Sequence, residues 1–225
     1  MKALVLASGG IDSSTCLGLA VQRFGCENVI ALSISYGQKH DREIQAARAV
    51  AAHYDVPLIE QDLTDIFRFS NCSLLRHSDD KIPQAAYSDQ INASDGKPVS
   101  TYVPFRNGLF LSSAAAIALS NDCSLIYYGA HSDDAAGSAY PDCSEAFNQA
   151  MNQAIYEGSG HQLKIEAPFI GLTKADVVAC GLRIGVPYEL TWSCYEGGEK
   201  PCGKCGTCID RMKAFEANGV KDPAL

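Results

Sequence analysis

An apolar stretch near the N-terminus runs directly into glycines, hydroxyls and a carboxylate. Residues 4–7 read LVLA, and residues 8–14 read SGGIDSS. Gly9 and Gly10 permit a sharp turn and a close approach of the main chain to a ligand, because they lack a Cβ. The serine hydroxyls and the free N–H groups of a helix predicted over residues 13–23 favour an anion. Residues 8–14 therefore predict a phosphate loop; a glycine turn that binds nothing is the alternative.

The phosphate loop matches neither of two common nucleotide motifs. No lysine follows its last glycine, as a Walker A loop requires, and the second glycine directly follows the first, unlike in G-x-G-x-x-G. The segment SGGIDS resembles the SGGxDS signature of the PP-loop ATP pyrophosphatase superfamily. That resemblance implies binding of the pyrophosphate of ATP, adenylation of a substrate oxygen, and a role for Asp12 in the magnesium and phosphate geometry.

A second chemical pattern lies near the C-terminus, where four of the ten cysteines follow the spacing C-x7-C-x2-C-x2-C. These four are Cys194, Cys202, Cys205 and Cys208. Four thiolates suit tetrahedral zinc and leave no open position for catalysis. An iron–sulfur cluster also takes four cysteines, but no other feature of the sequence points to redox chemistry. We predict a structural zinc that ties a final helix over residues 208–218 to the domain.

The elements between these two patterns predict a doubly wound parallel sheet. Apolar runs without polar alternation, typical of buried parallel strands, occupy residues 28–35 and 124–128. Helical periodicity separates the predicted strands. We expect an α/β fold of the Rossmann-like, adenine nucleotide alpha hydrolase-like type over residues 1–190, with an insertion or lid at 63–100. Residues 191–225 form the predicted small C-terminal zinc-binding segment.

Polar side chains at strand and helix ends are the candidates for ligand binding, because such sheets bind ligands at the carboxyl ends of their strands. Tyr36 and Gln38 end the second strand, where adenine and ribose of a nucleotide would lie; a plain turn is the alternative. Arg106 and Asn107 precede an apolar helix and can present a guanidinium and an amide to an anionic substrate. Asn107 has the alternative of being a simple cap.

Acids and one lysine follow the later strands. Asp133, Asp134 and Asp142 cannot all be buried without partners, so we expect a metal, a cation or ligand donors beside them. Asp142 has the alternative of capping the next helix. His131 is predicted as a hydrogen-bonding pocket residue without a catalytic role. Lys174, in the first turn of a helix, opposes the helix dipole, so we predict that it faces phosphate, with a solvated lysine as the alternative.

Composition narrows the class of partner. The chain has 225 residues, of which 47% are hydrophobic, and a formal net charge of -8. This charge disfavours a surface that coats nucleic acid or anionic membrane, and favours small-molecule substrates. We find no apolar run long enough to span a bilayer and no signal-type N-terminus. The prediction is therefore a cytoplasmic enzyme with no nucleic acid and no membrane partner.

Seven segments together resemble one family of enzymes. In chain order they are SGGIDSSTCL, SYGQKHDREI, TYVPFRN, YPDC, LTKADVV, TWSCY and CGKCGTCIDRMKAF. Their order and spacing resemble those of the 7-cyano-7-deazaguanine synthase family of queuosine biosynthesis. The resemblance implies a ligase that converts 7-carboxy-7-deazaguanine and ammonia to the nitrile preQ0, using ATP, through an adenylated carboxylate and an amide. It also implies the cofactors ATP, Mg2+ and Zn2+, and a homodimer.

The resemblance and the strand-end positions together imply four sets of site residues. The nucleotide-binding set is Ala7, Ser8, Gly9, Gly10, Ile11, Asp12, Ser13, Ser14, Thr15, Cys16, Leu17, Tyr36 and Gln38. The catalytic set is Ser8, Asp12, Ser13, Arg106 and Lys174. The substrate-binding set is Arg106, Asn107, Asp134, Tyr140 and Asp142. The zinc-binding set is the four clustered cysteines.

Two departures from the family pattern lie on the presumed substrate side. Phe105 stands where the family commonly has a glycine, and residues 135–139 form a longer link than usual. One alternative function keeps the adenylated deazapurine but passes it to another amine, including a protein amine. A PP-loop enzyme that thiolates tRNA is a second alternative, which the acidic composition disfavours. A zinc-stabilised nucleotide-binding module is the non-enzymatic alternative.

Overall fold

A parallel β-sheet of five strands forms the centre of the molecule. The computed structural model describes residues 1–95 and 97–224. The strands are β1 (Ala3–Leu6), β2 (Val29–Ser35), β3 (Leu58–Asp62), β4 (Leu125–Tyr127) and β5 (Lys164–Glu166). They lie in the order β3-β2-β1-β4-β5, and every neighbouring pair is parallel.

Helices connect these strands. They are α1 (Ile11–Phe24), α2 (Arg42–His53), α3 (Tyr87–Ala93), α4 (Arg106–Ser120), α5 (Ser132–Ala135), α6 (Glu145–Gly158), α7 (Lys174–Ile184) and α8 (Gly206–Ala217). Within residues 1–95 and 97–224, no helix combines the length and apolar composition that crossing a membrane requires. A capping box begins α7, as residues 173–176 predict: Thr173 accepts from the Asp176 N–H, and the Asp176 carboxylate accepts from the Thr173 N–H.

Both faces of the sheet are covered by helices. Successive side chains of a strand point to opposite faces, so one strand can contribute to two hydrophobic clusters. On β1, Ala3 and Val5 join one hydrophobic cluster, and Leu4 joins the other. The first cluster contains residues of α1, α2, α7 and α8, and the second contains residues of α4 and α6. The predicted doubly wound parallel α/β fold is therefore confirmed.

The strand order reverses beside β1, which has β2 on one side and β4 on the other. Leu6 pairs with Leu32 of β2, and Val5 pairs with Tyr127 of β4, so the carboxyl ends of these strands meet at one edge. A reversal of this kind leaves a crevice at the carboxyl ends, where open α/β sheets bind ligands. The fold thus brings the segments that follow β1, β2 and β4 to the same crevice.

The segment 63–100 packs onto the C-terminal segment. It contains a short 3-10 turn, Thr64–Phe69, and α3, while Gly96 lies outside the described residues. Phe67 and Leu75 share a buried cluster with Cys194 and Cys205. The insertion therefore covers part of the cysteine cluster; its assignment as a lid stays a prediction, as does the division of the chain at residue 190.

A buried arginine ties α8 to the rest of the domain. Arg211 is 3% exposed, and its guanidinium donates to both carboxylate oxygens of Asp222, at 2.6 and 2.9 Å. It also donates to Thr191 Oγ1 at 2.8 Å and to the Tyr188 carbonyl at 3.1 Å. A buried guanidinium requires such partners, because an uncompensated charge in the interior is costly. The pair joins α8, the chain after it and the loop before the cysteine cluster.

We expect Asp222→Ala to lower the free energy of unfolding by about 3–5 kcal/mol, because it leaves the Arg211 charge buried without its partner. Urea denaturation measures the change. The matched control is Glu60→Ala, which breaks the exposed Arg48–Glu60 pair and should cost about 1 kcal/mol or less. Equal losses for the two variants would contradict this account of Arg211.

Candidate functional site

A cavity lies at the carboxyl ends of β1, β2 and β4. The part of the phosphate loop that lines it, with the residue before the loop, is Ala7, Ser8, Gly10, Ile11, Asp12 and Ser13. The wall is completed by residues that follow β2 and β4, by residues at the starts of α2, α4 and α7, and by residues of the C-terminal segment. Elements from the whole chain therefore meet at the crevice that the strand order creates.

The phosphate loop has the geometry of an anion site. Gly9 adopts φ +82°, and a Cβ there would collide with the main-chain carbonyl oxygen of Glu43 on α2. Ser13 Oγ accepts from the Ser8 N–H at 3.1 Å and lies 3.0 Å from Ser8 Oγ. No side chain caps the N-terminus of α1, whose N-cap residue is Gly10. The uncapped N–H groups and the paired hydroxyls fit a phosphate group.

Asp12 and Lys174 form an ion pair beside the loop. Lys174 Nζ lies 2.6 Å from Asp12 Oδ2. His131, which is buried, places Nε2 3.3 Å from Asp134 Oδ2 and 3.7 Å from Asp12 Oδ1. Burial alone would raise the pKa of Asp12, but the charges of Lys174 and His131 outweigh it and lower that pKa. Within the described residues Asp12 Oδ1 is buried without a hydrogen-bond partner, so this oxygen can still accept a cation or a ligand donor.

Arg106 presents an unpaired cation to the same cavity. It is the first residue of α4, and its guanidinium lies 5.3 Å from the Tyr36 ring centroid and 5.8 Å from that of Phe110. Its Nε is buried without a hydrogen-bond partner, and within the described residues no carboxylate forms an ion pair with it. A half-buried guanidinium without an ion-pair partner is suited to a bound anion, which would complete its hydrogen bonds.

Asp142 and Asn107 hold the start of α4 in place. The Asn107 N–H donates to Asp142 Oδ2 at 2.8 Å, and the Asn107 side-chain amide donates to the Asp142 carbonyl and to Cys143 Sγ. Phe105, in the left-handed region at φ 54°, is the N-cap residue and packs edge-on against Phe147. The first turn of α4, and with it Arg106, is therefore positioned by the turn that precedes α6.

A chain of hydroxyls connects the insertion to the cavity. Thr101 Oγ1 lies 2.6 Å from the Tyr140 hydroxyl, which donates to the Tyr87 hydroxyl at 3.1 Å. The Tyr87 hydroxyl lies 3.0 Å from that of Tyr195, the residue after Cys194. Tyr87 and Tyr195 line the cavity. The hydroxyl chain thus fixes one wall of the cavity to the cysteine segment.

The four clustered cysteines form a compact sulfur site. The sulfur atoms of Cys194, Cys202, Cys205 and Cys208 all lie within 4.8 Å of one another. Tetrahedral zinc with Zn–S bonds of about 2.3 Å needs sulfurs about 3.8 Å apart, a spacing that small side-chain rotations reach. The N–H groups of Cys202, Lys204 and Cys205 lie 3.3–3.4 Å from cluster sulfurs, where they stabilise thiolate charge. The donor set fits one tetrahedral metal ion.

Comparison with known proteins decides the family. The model of the family described as "Queuosine biosynthesis protein QueC" matches residues 2–219. The chain belongs to the QueC family. This QueC-family chain is 44% identical to a 7-cyano-7-deazaguanine synthase of Archaeoglobus fulgidus, over 100% of this chain and 90% of the relative. It is 41% identical to a protein of the same name from Caldicellulosiruptor bescii, over 99% and 96%. The predicted resemblance is confirmed.

A solved structure also matches the chain. It is that of the NH3-dependent NAD synthetase from Campylobacter jejuni, in complex with the nitrate ion. The match has a TM-score of 0.47 and 13% sequence identity, and covers 84% of this chain and 66% of that one.

The QueC-family chain brings twelve of the predicted ligand-binding residues to the cavity. They are Ala7, Ser8, Gly10, Ile11, Asp12, Ser13, Tyr36, Gln38, Arg106, Asn107, Asp134 and Lys174. Lys174 is not the solvated lysine of the alternative reading, because its side chain is 16% exposed and paired with Asp12. Gln38 turns its amide oxygen to the Tyr36 N–H at 2.9 Å, which shapes the end of β2. What these residues bind stays a prediction.

The remaining predicted residues lie behind the cavity wall. Cys16 and Leu17 belong to the first hydrophobic cluster, because they are on the face of α1 that packs on the sheet. Thr15 is buried and bonds to the Ile11 carbonyl and the Tyr188 hydroxyl, each at 2.8 Å. The others outside the lining are Gly9, Ser14, Tyr140 and Asp142. The roles predicted for these residues stay predictions.

Two alternative cap assignments are wrong. Asp142 does not cap α6, because Ser144 is the N-cap residue and its Oγ accepts from the Phe147 N–H at 3.2 Å. Asn107 does not cap α4, since that position belongs to Phe105 and Asn107 lies inside the first turn. Both side chains instead bond to each other's segments, a long-range contact that sequence spacing does not reveal.

Sequence reasoning missed several cavity residues. Glu43 lies in the first turn of α2, and Asp210 lies in α8; both line the cavity. Burial raises the pKa of the Asp210 carboxyl, and the charge of Lys174 opposes that rise. Glu43 carried a usable signal, since it begins the helix that follows β2 and therefore lies at the carboxyl edge of the sheet. Asp210 carried none, because its approach depends on how α8 docks.

The sulfur geometry predicts one metal ion per chain. We expect Cys205→Ser to lose it and to destabilise the C-terminal segment, because three soft ligands bind such an ion far more weakly than four. Elemental analysis of freshly purified protein measures the metal content. Cys26→Ser, outside the cluster, is the control and should retain the ion. Metal-free wild type, or full retention in Cys205→Ser, would contradict the assignment.

Proposed function

We propose that the protein is an ATP-dependent ligase that converts 7-carboxy-7-deazaguanine and ammonia to 7-cyano-7-deazaguanine. The observation that carries the proposal is the unpaired Arg106 guanidinium in the same cavity as the phosphate loop. One site then offers both a phosphate position and a carboxylate position. The names of the relatives, 7-cyano-7-deazaguanine synthases at 39–44% identity, support the same reaction.

The phosphate loop would hold the pyrophosphate of ATP on the hydroxyls of Ser8 and Ser13 and on the N–H groups of α1. The free Oδ1 of Asp12 supports a place for magnesium, which when bound neutralises phosphate charge. Lys174 keeps Asp12 ionised and adds a positive charge beside the phosphates. Positioning and charge stabilisation of this kind supply most of the catalysis in such transfers.

Arg106 would hold the carboxylate of the substrate while one of the carboxylate oxygens attacks the α-phosphorus of ATP. The planar guanidinium matches a carboxylate in bidentate geometry. Tyr36 and Phe110 confine it, so the side chain loses little further freedom on binding. Asp134 and, from behind the wall, Tyr140 and Asp142 are proposed to shape the pocket for the deazaguanine ring.

We propose zinc as the ion of the cysteine cluster, with a structural role. Four protein sulfurs leave no position for a substrate. The ion would hold the loop that carries Trp192, Ser193 and Tyr195, all of which line the cavity. Zinc binding in comparable small sites contributes on the order of 10 kcal/mol to folding.

The tRNA-thiolation alternative finds little support. Such chemistry uses a reactive cysteine, and the cysteine that lines the cavity is Cys143. Burial raises the pKa of the Cys143 thiol well above its ordinary value, so the thiolate is scarce at neutral pH. The net charge of -8 also opposes binding to RNA.

The direct test incubates the purified protein with ATP, magnesium, ammonium and 7-carboxy-7-deazaguanine, followed by mass spectrometry. We expect the nitrile, with the amide as an intermediate, and AMP released from ATP. If ATP is consumed but neither the nitrile nor the amide forms, and a product appears only when another amine is added, the alternative acceptor is favoured. No AMP under any of these conditions would favour the nucleotide-binding module.

Removal of the Arg106 charge tests the carboxylate position. We expect Arg106→Ala to weaken binding of 7-carboxy-7-deazaguanine by about 10- to 100-fold, since a charged hydrogen bond contributes about 1.5–3 kcal/mol. ATP binding should change little. Isothermal titration of both ligands decides this, with the exposed Arg76→Ala as the control. Unchanged affinity for the acid would show that the substrate lies elsewhere.

Substitutions in the phosphate loop test the ATP position. We expect Asp12→Asn and Ser13→Ala to lower turnover by about 100-fold or more while the far-ultraviolet circular dichroism spectrum stays that of the wild type. Asp12→Asn removes the charge that pairs with Lys174, and Ser13→Ala removes the hydroxyl beside Ser8. Wild-type product formation by either folded variant would refute the PP-loop assignment.

A further inference from the structure

Glu43 is a cavity carboxylate to which the proposed reaction gives no role. Glu43, in the first turn of α2, lines the cavity and is partly buried. Within the described residues, the Glu43 carboxylate is in no ion pair, and no hydrogen bond to it lowers its pKa. A partly buried carboxylate without partners is costly to keep charged, so an occupant of the cavity that donates a hydrogen bond or a proton to it would offset that cost.

The position of Glu43 is on the phosphate side of the cavity. Its main-chain carbonyl contacts Gly9 so closely that a Cβ on the glycine would collide with it. The first turn of α2 therefore rests directly on the phosphate loop. The Glu43 side chain thus enters the cavity beside the loop that is proposed to hold the phosphates of ATP.

The surroundings of Glu43 suit proton transfer. Burial raises the pKa of the Glu43 carboxyl to about 7, while the positive charge of Arg106 opposes that rise. A base with a pKa near the operating pH is the most effective in general acid–base catalysis. Arg106 and Glu43 both line the cavity, and within the described residues no ion pair joins them.

The proposed reaction needs a proton acceptor at nitrogen. Ammonium must lose one proton before its lone pair can attack the acyl carbon, and the adduct loses a second as the C–N bond forms. The C–O bond to AMP breaks, and AMP leaves with the electron pair. After ATP adenylates the amide oxygen, the nitrogen gives up its last two protons. The freed electron pairs complete the C≡N bond, and a second AMP leaves.

We propose that Glu43 is the base that takes these protons from nitrogen and passes them to water between steps. This inference rests on the proposed function and adds a catalytic residue to it. The other use of the carboxylate, to accept hydrogen bonds from the exocyclic amine and ring N–H of the deazaguanine, is an outcome of the same test.

The decisive variant is Glu43→Gln, which keeps the shape of the side chain and removes its basicity. We expect ammonium-dependent amide formation to fall by about 100-fold or more. Adenylation, followed as exchange of pyrophosphate into ATP in the presence of the acid, should fall by about tenfold at most. Hydroxylamine is uncharged at neutral pH, so hydroxamate formation by the variant should approach that of the wild type with the same amine.

The control is Glu145→Gln, which changes the exposed glutamate that begins α6 and should react as the wild type does. Glu43→Asp retains a carboxylate and should keep more ammonium-dependent activity than Glu43→Gln. Unfolding midpoints compare the folding of all variants. If Glu43→Gln is unstable, Glu43→Asp is compared with the wild type instead. The ratio of the rate with ammonium to the rate with hydroxylamine still measures the selective loss of ammonium-dependent activity.

Three results would overturn the inference. Wild-type ammonium-dependent rates in Glu43→Gln would remove the base. An equal fall in adenylation and amide formation, with weaker binding of the acid and no recovery with hydroxylamine, would assign Glu43 to the deazaguanine ring instead. A wild-type protein that forms neither amide nor nitrile would refute the proposed function itself, which separates that failure from a failure of Glu43.

Discussion

The contact between Gly9 and the first turn of α2 is the constraint on which the site depends. Gly9 lies against the carbonyl of Glu43, and its own carbonyl accepts from the Trp192 N–H at 2.9 Å. One glycine thus joins the phosphate loop to α2 and to the segment that leads into the cysteine cluster. A side chain at this position would force these elements apart, since the contact includes main-chain atoms that cannot rotate away. The cavity exists because three separate parts of the chain converge there.

The charges of the cavity differ in how they are compensated, and this difference separates their chemistry. Asp12 and Lys174 compensate each other at 2.6 Å, so both stay charged beside the phosphate loop. Arg106 lies against the rings of Tyr36 and Phe110, and within the described residues it forms no ion pair, so its charge is available to a ligand. Burial raises the pKa of the Glu43 carboxyl to about 7, while the charge of Arg106 opposes that rise. A fixed ion pair, an unpaired cation and a titrating carboxylate suit phosphate binding, carboxylate binding and proton transfer, respectively.

The cysteine segment contributes to the cavity without supplying chemistry of its own. Tyr195 follows Cys194 directly and bonds through Tyr87 to Tyr140. The insertion covers the sulfur cluster with Phe67 and other buried residues. A metal ion in that cluster would therefore fix a wall of the cavity as well as α8.

The sequence alone was sufficient for the features that local pattern encodes: the phosphate loop, the parallel strands and the four cysteines. Each depends on residue types at short spacing or on burial periodicity, which are visible without tertiary contacts. The substrate side was harder to predict from the sequence. Asp142 and Asn107 are residue types that often bind ligands, yet here they form hydrogen bonds with one another. Asp210 reaches the cavity only through the docking of α8, and the lack of an ion-pair partner for Glu43 among the described residues depends on how α2 packs. Which polar groups are left unpaired after packing is a property of the folded chain, and only the tertiary structure decided it.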